Sequence, residues 1–317
     1  MSIAFIFPGQ GSQSVGMGRD LAAAFAPARE VFQEIDDTLE QKLSKVMFDG
    51  PPEALTMTEN TQPALMAHSL AVLRVLEREG GFRLADRAVL VAGHSLGEYS
   101  ALAAAGSFGV AQAAKLLRLR GQAMQHALPA GEGAMAALLG AELELAREIC
   151  AAAADGPLGR EVVEPANDNG GGQVVISGHR GAVERAVELS KARGVKRAML
   201  LPVSAPFHCA LMAPASDAMQ AALEAAPPQA PELPLVANVS ARKETDPDEI
   251  AQLLVRQVTA TVRWRESVLA MVALGVDSFV EVGAGKVLAG LVKRIAPDAA
   301  ATSVGSAADI ELFLKTL

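Results

Sequence analysis

Ala88-Val89-Leu90-Val91-Ala92-Gly93-His94-Ser95-Leu96-Gly97-Glu98-Tyr99-Ser100-Ala101-Leu102 is the stretch on which the reading of this chain turns. Residues 88–92 are an apolar run of strand length. Gly93 to Gly97 fit G-x-S-x-G, and a breaker-free segment, 98–105, follows as far as Gly106. Strand, tight turn and helix is the context in which this motif presents a nucleophile. The turn pushes the Ser95 hydroxyl out of the fold, and two glycines without a Cβ let strand and helix approach. Ser95 then sits at a helix N-terminus, where free N–H groups favour developing negative charge. The N–H of Leu96 is a candidate oxyanion donor. The plainer alternative is a Gly-rich turn with a serine cap.

Upstream, Ile3-Ala4-Phe5-Ile6-Phe7 reads as a buried strand ended by Pro8-Gly9-Gln10-Gly11-Ser12-Gln13. A polar, Gly-rich loop at the carboxyl end of a strand is where ligands gather in open α/β sheets. It lacks the lysine of a nucleotide-binding P-loop. Helices are expected over 20–48 and 61–79, the second starting at Thr61-Gln62-Pro63, with His68 as a structural residue inside it. Downstream, 111–126 forms a helix whose stripe is Ala113, Leu116, Leu117, Arg120 and Met124, with Lys115, Arg118 and Gln122 opposite. Arg120 therefore faces inwards and needs an anion, either a protein carboxylate or a ligand.

From 130 the pattern changes. Strands are expected at 133–139, 161–167, 173–177 and 196–203, with helices at 142–153 and 182–193. That β-α-β-β-α-β order is the ferredoxin-like unit. Residues 129–203 are thus expected to form a small inserted domain. Residues 1–128 and 204–317 form a large α/β-hydrolase-like domain with a parallel sheet core. The large domain continues with a helix at 214–226, a strand at 234–239, helices at 247–258 and 264–274, and a strand at 276–282. After the turn Gly283-Ala284-Gly285 come a helix at 286–295, a short strand near 302 and a final helix.

Composition narrows the function classes. A chain of 317 residues, half of them hydrophobic, has the length for a large core. The net charge of −8 and the lack of a basic stripe with interleaved aromatics argue against nucleic-acid binding. Two cysteines, Cys150 and Cys209, form neither a disulfide framework nor a zinc spacing. No apolar run reaches membrane-span length and no basic leader precedes Ile3, so a cytoplasmic protein is expected. A serine nucleophile needs a base. Of the five histidines, His68 and His126 fall in expected helices and His179 begins one. His94, next to the serine, is awkwardly directed for in-line proton abstraction. His208 is favoured, in the loop Ser204-Ala205-Pro206-Phe207-His208-Cys209, where catalytic groups tend to sit. No acidic partner for it can be assigned from pattern. Lys191, Arg193, Lys196 and Arg197 form a basic cluster, either a steering surface for anionic partners or a solvated helix end.

Taken together, these motifs resemble the malonyl-CoA:acyl carrier protein transacylase family along essentially the whole chain. The resembling stretches are the loop Phe7 to Gln13, the elbow Gly93 to Ala101, Arg120-Gly121 with Met124-Gln125, and Asn167-Asp168-Asn169 with Gly172 to Gly178. Phe207-His208-Cys209 and Glu281 to Leu288 complete the set. The resemblance implies an acyltransferase working by ping-pong transfer of malonyl from malonyl-CoA to acyl carrier protein, for fatty-acid synthesis, without metal or redox cofactor. It implies Ser95 as nucleophile, His208 as base and Gln257 orienting the histidine through a carbonyl oxygen. The oxyanion hole would be the N–H groups of Gln10 and Leu96, and Arg120 would bind the malonyl carboxylate. Met124, Phe207, His94 and Asn167 are further expected substrate contacts. Phe207 would narrow the pocket in favour of malonyl over methylmalonyl. A monomer is expected. Where the family carries Tyr-Asn-Pro after the glutamine, this chain has Val258-Thr259-Ala260-Thr261-Val262. The rival readings are a serine thioesterase using the same Ser-His pair, an acyltransferase serving polyketide synthesis, and a non-catalytic carrier-binding module.

Overall fold

Strands buried on both faces read as continuous apolar runs, and Ile3–Phe7 and Leu90–Gly93 pair in parallel at the centre of a six-stranded sheet. The computed structural model describes residues 2–157 and 159–316. The sheet order is Lys243–Glu244, Leu235–Val236, Leu90–Gly93, Ile3–Phe7, Ser278–Val282, Ala300–Val304. Every pairing is parallel except the edge hairpin of Lys243–Glu244 with Leu235–Val236. Both central strands therefore end at the same edge, which brings the Gly9–Gln10 loop and the serine turn together.

A second, antiparallel sheet has the order Val163–Asp168, Gln173–His179, Gly133–Leu139, Arg197–Leu200. The period of two decides its packing. Ala134, Ala136 and Leu138 face helices Leu143–Ala153 and Arg180–Ala192 in a separate apolar cluster, whereas Met135 and Ala137 face the main core. The segment after Gln257 clips the sheets together. Asp168 N–H donates to Val262 O at 2.9 Å, and Val262 N–H donates to Ala166 O at 2.9 Å. Arg265 Nε meets the buried Asp168 carboxylate at 2.8 Å. Val258 to Val262, where the chain departs from the family pattern, thus serves as an edge partner for the second sheet.

Several elements differ from expectation. The helix expected over 20–48 is three: Arg19–Ala24, Ala26–Thr38 and Leu43–Asp49. Phe25 turns extended so that Pro27 enters the first turn of a new helix, where its missing N–H costs nothing. Glu40, at φ 49°, ends that helix. The next long helix runs Thr58–Gly80, so Pro63 lies inside it rather than at its start. Burial along most of its length outweighs the one backbone hydrogen bond that Pro63 forgoes. Only Leu235–Val236 of 234–239 and Arg197–Leu200 of 196–203 join ladders. Short helices Pro52–Thr56 and Leu84–Arg87 and a hairpin of Asp155–Gly156 with Gly159–Arg160 have no counterpart in the sequence reading.

Helix Val110–His126 crosses Thr58–Gly80 at a point of near contact. A Cβ on Gly121 would lie 2.5 Å from Glu59 Cα and 2.7 Å from Thr58 O, both backbone atoms. Gly290, in helix Val287–Ile295, is exposed, with nothing within 4 Å of the same position. The same substitution should therefore have opposite signs. Gly290→Ala is expected to stabilise by about 0.5–1 kcal/mol through helix propensity. Gly121→Ala is expected to destabilise by about 1–3 kcal/mol through overpacking. Urea unfolding of both variants checks this, and a neutral or stabilising Gly121→Ala would refute the close-crossing argument.

Candidate active site

The serine turn is built by contact. A Cβ on Gly93 would fall 1.9 Å from Gly97 O, and one on Gly97 would fall 2.2 Å from Phe7 O. Only glycine permits strand, turn and helix Gly97–Ala104 to sit this close. Ser95 is left at φ 54°, a left-handed conformation uncommon for serine. Asn238, just beyond strand Leu235–Val236, holds it there. Its Oδ1 accepts from Ser95 N–H at 2.7 Å and its Nδ2 donates to Gly93 O at 2.6 Å. The N–H groups of Gln10 and Leu96 have no acceptor among the described residues, and both residues line the same cavity as Ser95.

His208 also has a left-handed backbone, φ 60°. The Ser95 hydroxyl donates to its Nε2 at 2.7 Å, and its Nδ1–H donates to the main-chain carbonyl of Gln257 at 2.8 Å. Those two partners fix the tautomer with Nε2 free to accept a proton. Burial, together with the Arg120 charge, pulls the imidazole pKa down to about 3, against the hydrogen bonds to the Gln257 and Ala260 carbonyls. Among the described residues no carboxylate hydrogen-bonds this histidine, in keeping with a charge pattern that offers no acidic partner.

Arg120 arrives on Val110–His126 and is buried. Its Nη1 donates to Gln62 Oε1 at 2.7 Å, and its Nη2 donates to Gln257 Oε1 at 2.8 Å and to Ser95 Oγ at 3.2 Å. The guanidinium carbon stands 5.7 Å from the Tyr99 ring centroid. None of the ion pairs among the described residues includes Arg120. Of the two anions the sequence left open, a directly paired protein carboxylate is therefore absent. Burial lowers the pKa of the guanidinium, opposed by the nearby Tyr99 and Glu98. A buried cation in contact with neutral amides and the Ser95 hydroxyl lacks the directly paired anion that burial ordinarily demands.

Gln10, His94, Ser95, Leu96, Arg120, Met124, Asn167, Phe207 and His208 all line one cavity of about 650 Å³ between the two sheets. Gln257 lies behind it, fully buried. His94 is not against the nucleophile's proton: its Nε2 meets Asn169 Oδ1 at 2.9 Å. Met124 Sδ lies 3.8 Å from Gln62 Nε2. His68 is buried in its helix with its pKa lowered to about 4 by burial, away from this cavity. A larger open groove on the second sheet's helices, lined by Arg185, Glu188 and Leu200, holds none of these groups. Among the described residues no three His, Cys, Asp or Glu side chains form a metal cluster. Two members of the basic cluster carry carboxylate partners, Lys191 with Glu188 and Arg193 with Glu148.

Four residues were not singled out from sequence. Asn238 ends the apolar run Leu235-Val236-Ala237, and a lone amide at the carboxyl end of a buried strand is the signal for it. Glu98 is the one charge in the helix Gly97–Ala104. Gln62 and Thr58 were obscured by the assigned helix start. Gln62 Nε2 donates to Thr58 Oγ1 at 2.9 Å, and Thr58 donates to Gln10 Oε1 at 3.0 Å, tying the loop to Arg120.

The acyl transferase domain model matches residues 4–310. The malonyl CoA-acyl carrier protein transacylase of Escherichia coli is 48% identical over 292 residues, 92% of each chain. A solved acyl-carrier-protein-S-malonyltransferase from Bartonella henselae is 53% identical and superposes with a TM-score of 0.96 over 100% of this chain and 99% of its own. A malonyl-transacylase solved in complex with its type II PKS acyl-carrier protein is 43% identical, with a TM-score of 0.95 over 100% of both chains. No helix of the described residues is long and apolar enough to cross a membrane. With the acyl transferase domain spanning residues 4–310 and relatives this similar along nearly the whole chain, the protein belongs to the malonyl-CoA:acyl carrier protein transacylase family.

Proposed function

We propose that this acyltransferase moves a malonyl group from malonyl-CoA to the phosphopantetheine thiol of acyl carrier protein through a malonyl ester on Ser95. The observation that carries the reading is Arg120, a buried cation 3.2 Å from Ser95 Oγ with only neutral amide oxygens and that hydroxyl as partners. An acyl group bearing its own carboxylate supplies the missing charge. Ser95 Oγ gives its proton to His208 Nε2 and attacks the thioester carbonyl. The N–H groups of Gln10 and Leu96 take the oxyanion. As the C–S bond breaks, the imidazolium returns the proton to the CoA sulfur. In the second half the carrier thiol gives its proton to His208 and attacks the ester, and Ser95 leaves with that proton. Arg120 selects the dicarboxylic acyl group and holds it in register. Met124 and Phe207 supply apolar wall, and Phe207 narrows the pocket against the extra methyl of methylmalonyl. His94, braced by Asn169, and Asn167 close the far side.

The second sheet, in the order second-third-first-fourth with two helices on one face, is read as a ferredoxin-like unit of residues 129–203. It is inserted in an α/β-hydrolase-like domain of 1–128 and 204–317. Every group the chemistry needs comes from one chain, so a monomer suffices. The malonyl-carrier product feeds carbon–carbon bond formation in cytoplasmic fatty-acid synthesis.

Intact-mass measurement after brief exposure to malonyl-CoA should show a malonyl adduct on the wild type and none on Ser95→Ala. Free malonate appearing as fast as carrier is loaded would favour the hydrolase reading instead. Arg120→Ala removes two charge-assisted contacts to the substrate carboxylate, each contributing about 1.5–3 kcal/mol. Malonyl transfer should fall on the order of 10²–10³-fold, with acetyl transfer far less affected. Equal losses for both acyl groups, together with a large drop in melting temperature, would make Arg120 a structural residue.

The histidine offers a pH test. Its folded pKa is lowered to about 3 from an ordinary 6.5, so the native imidazole stays neutral, and able to accept a proton, throughout the interval between those values. Nitrogen-15 NMR of labelled imidazoles should find His208 neutral at pH 5, protonated at Nδ1. A His208 signal titrating between pH 6 and 7 in the folded free enzyme would contradict this.

A further inference from the structure

Behind the catalytic groups lies a buried carboxylate that the chemistry above does not use. Glu98 is 1% exposed. One of its oxygens, Oε2, accepts from Gln257 Nε2 at 2.7 Å and from the main-chain N–H of Asn238 at 3.1 Å. The second proton of Gln257 Nε2 goes to Ser95 O at 3.0 Å. The opposite end of that carboxamide, Oε1, receives Arg120 Nη2 at 2.8 Å. The main-chain carbonyl of the same residue holds His208. One glutamine thus meets the arginine, the nucleophile's backbone and the base.

A carboxamide has a donor end and an acceptor end, and a rotation of 180° exchanges them. In the rotated form Nε2 would point donor-to-donor at the Arg120 guanidinium. Arg120 penalises that form, but Arg120 is also the group that a substrate carboxylate engages in the proposed reaction. A second, substrate-independent constraint sits at the other end of the amide, where Nε2 donates to Ser95 O and, at the shorter distance, to Glu98 Oε2. We propose that Glu98 is a positioning residue: its Oε2, fixed by the Asn238 N–H, locks the Gln257 carboxamide with its oxygen towards Arg120 and so keeps the guanidinium aimed at the acyl carboxylate. The proposal rests on the reading of Arg120 as carboxylate anchor.

The acceptor oxygen, rather than the charge, carries this role. Burial pushes the Glu98 carboxyl up to about 7, against the hydrogen bonds from Gln257 and Asn238 and the pull of Arg120. Both donors converge on a single oxygen, so a glutamine can present a carbonyl oxygen at the same point. A side chain of similar length without an acceptor cannot.

The test compares malonyl with acetyl transfer in three variants, with melting temperatures recorded. Glu98→Met should lower malonyl transfer about tenfold to a hundredfold, the scale of loosening a charge-assisted contact, while acetyl transfer changes by no more than about threefold. Glu98→Gln should restore the malonyl rate to within about threefold of the wild type. Glu98→Asp keeps a buried carboxylate if the methionine variant fails to fold. It withdraws the oxygen by one bond length, about 1.5 Å, and should lower the malonyl-to-acetyl ratio. An unchanged ratio in Glu98→Met or Glu98→Asp, or a Glu98→Gln as deficient as the methionine variant, would overturn the proposal. Failure of the underlying reading shows separately, as equal loss of malonyl and acetyl transfer in Arg120→Ala with Glu98 intact.

Discussion

A guanidinium in the core needs stabilisation, and the way it is stabilised decides whether it can bind anything. Pairing Arg120 directly with a carboxylate would settle its energy and end its use, because a substrate anion would have to displace a buried ion pair. The chain instead spreads the stabilisation over Gln62 Oε1, Gln257 Oε1 and the face of Tyr99. Glu98 stands one carboxamide away, on the far side of Gln257. Dipoles hold the cation in place without saturating it. The close crossing at Gly121 belongs to the same arrangement, since it brings Thr58–Gly80 near enough for Gln62 to reach.

The two reacting residues share a second constraint. Ser95 and His208 both have φ near +55 to +60°, a conformation that costs a residue with a side chain about 1–3 kcal/mol. The Ser95 main chain is held by side chains from elsewhere in the chain, Asn238 on its N–H and Gln257 on its carbonyl, and the His208 imidazole is held by the Gln257 main-chain carbonyl. A histidine oriented by a neutral carbonyl, beside a cation, is a weak base at rest. Burial is the larger cause of that weakness and the Arg120 charge the second; in the proposed reaction an acyl carboxylate on Arg120 would offset the second.

The legible parts of the sequence were those governed by local periodicity and turn chemistry. The apolar run 133–139 and the glycines around Ser95 marked a strand and an elbow that the structure contains. The helical stripe gave the direction of Arg120, because facing inwards depends only on 3.6-residue spacing. The groups around it were not legible, since Gln62, Glu98 and Gln257 are 58, 22 and 137 positions away from it along the chain and amides carry no charge pattern. The three-way break of 20–48 was missed for a different reason: apolar spacing continues through Phe25 although Pro27 restarts the helix. The strands ending at 200 and 236 are expected to run longer because apolar residues beyond them pack on the core without joining a ladder.

The distance from nucleophile to arginine also bears on acyl length. Between an ester oxygen on Ser95 and the carboxylate carbon of a malonyl group lie two carbons, a reach of about 3–4 Å at ordinary bond lengths. Arg120 Nη2 already stands 3.2 Å from Ser95 Oγ. In the proposed reaction a three-carbon diacid would therefore bring its carboxylate against a guanidinium that hardly has to move. A two-carbon acyl group has nothing to offer it, and a four-carbon diacid carries its carboxylate past the Nη2 position unless its chain folds back. With Gln62 and Gln257 gripping the guanidinium on both sides, the arginine cannot retreat along its own axis to follow a longer chain. On this reading, rigidity of the amide cradle, more than the volume of a cavity of about 650 Å³, is what measures the acyl group.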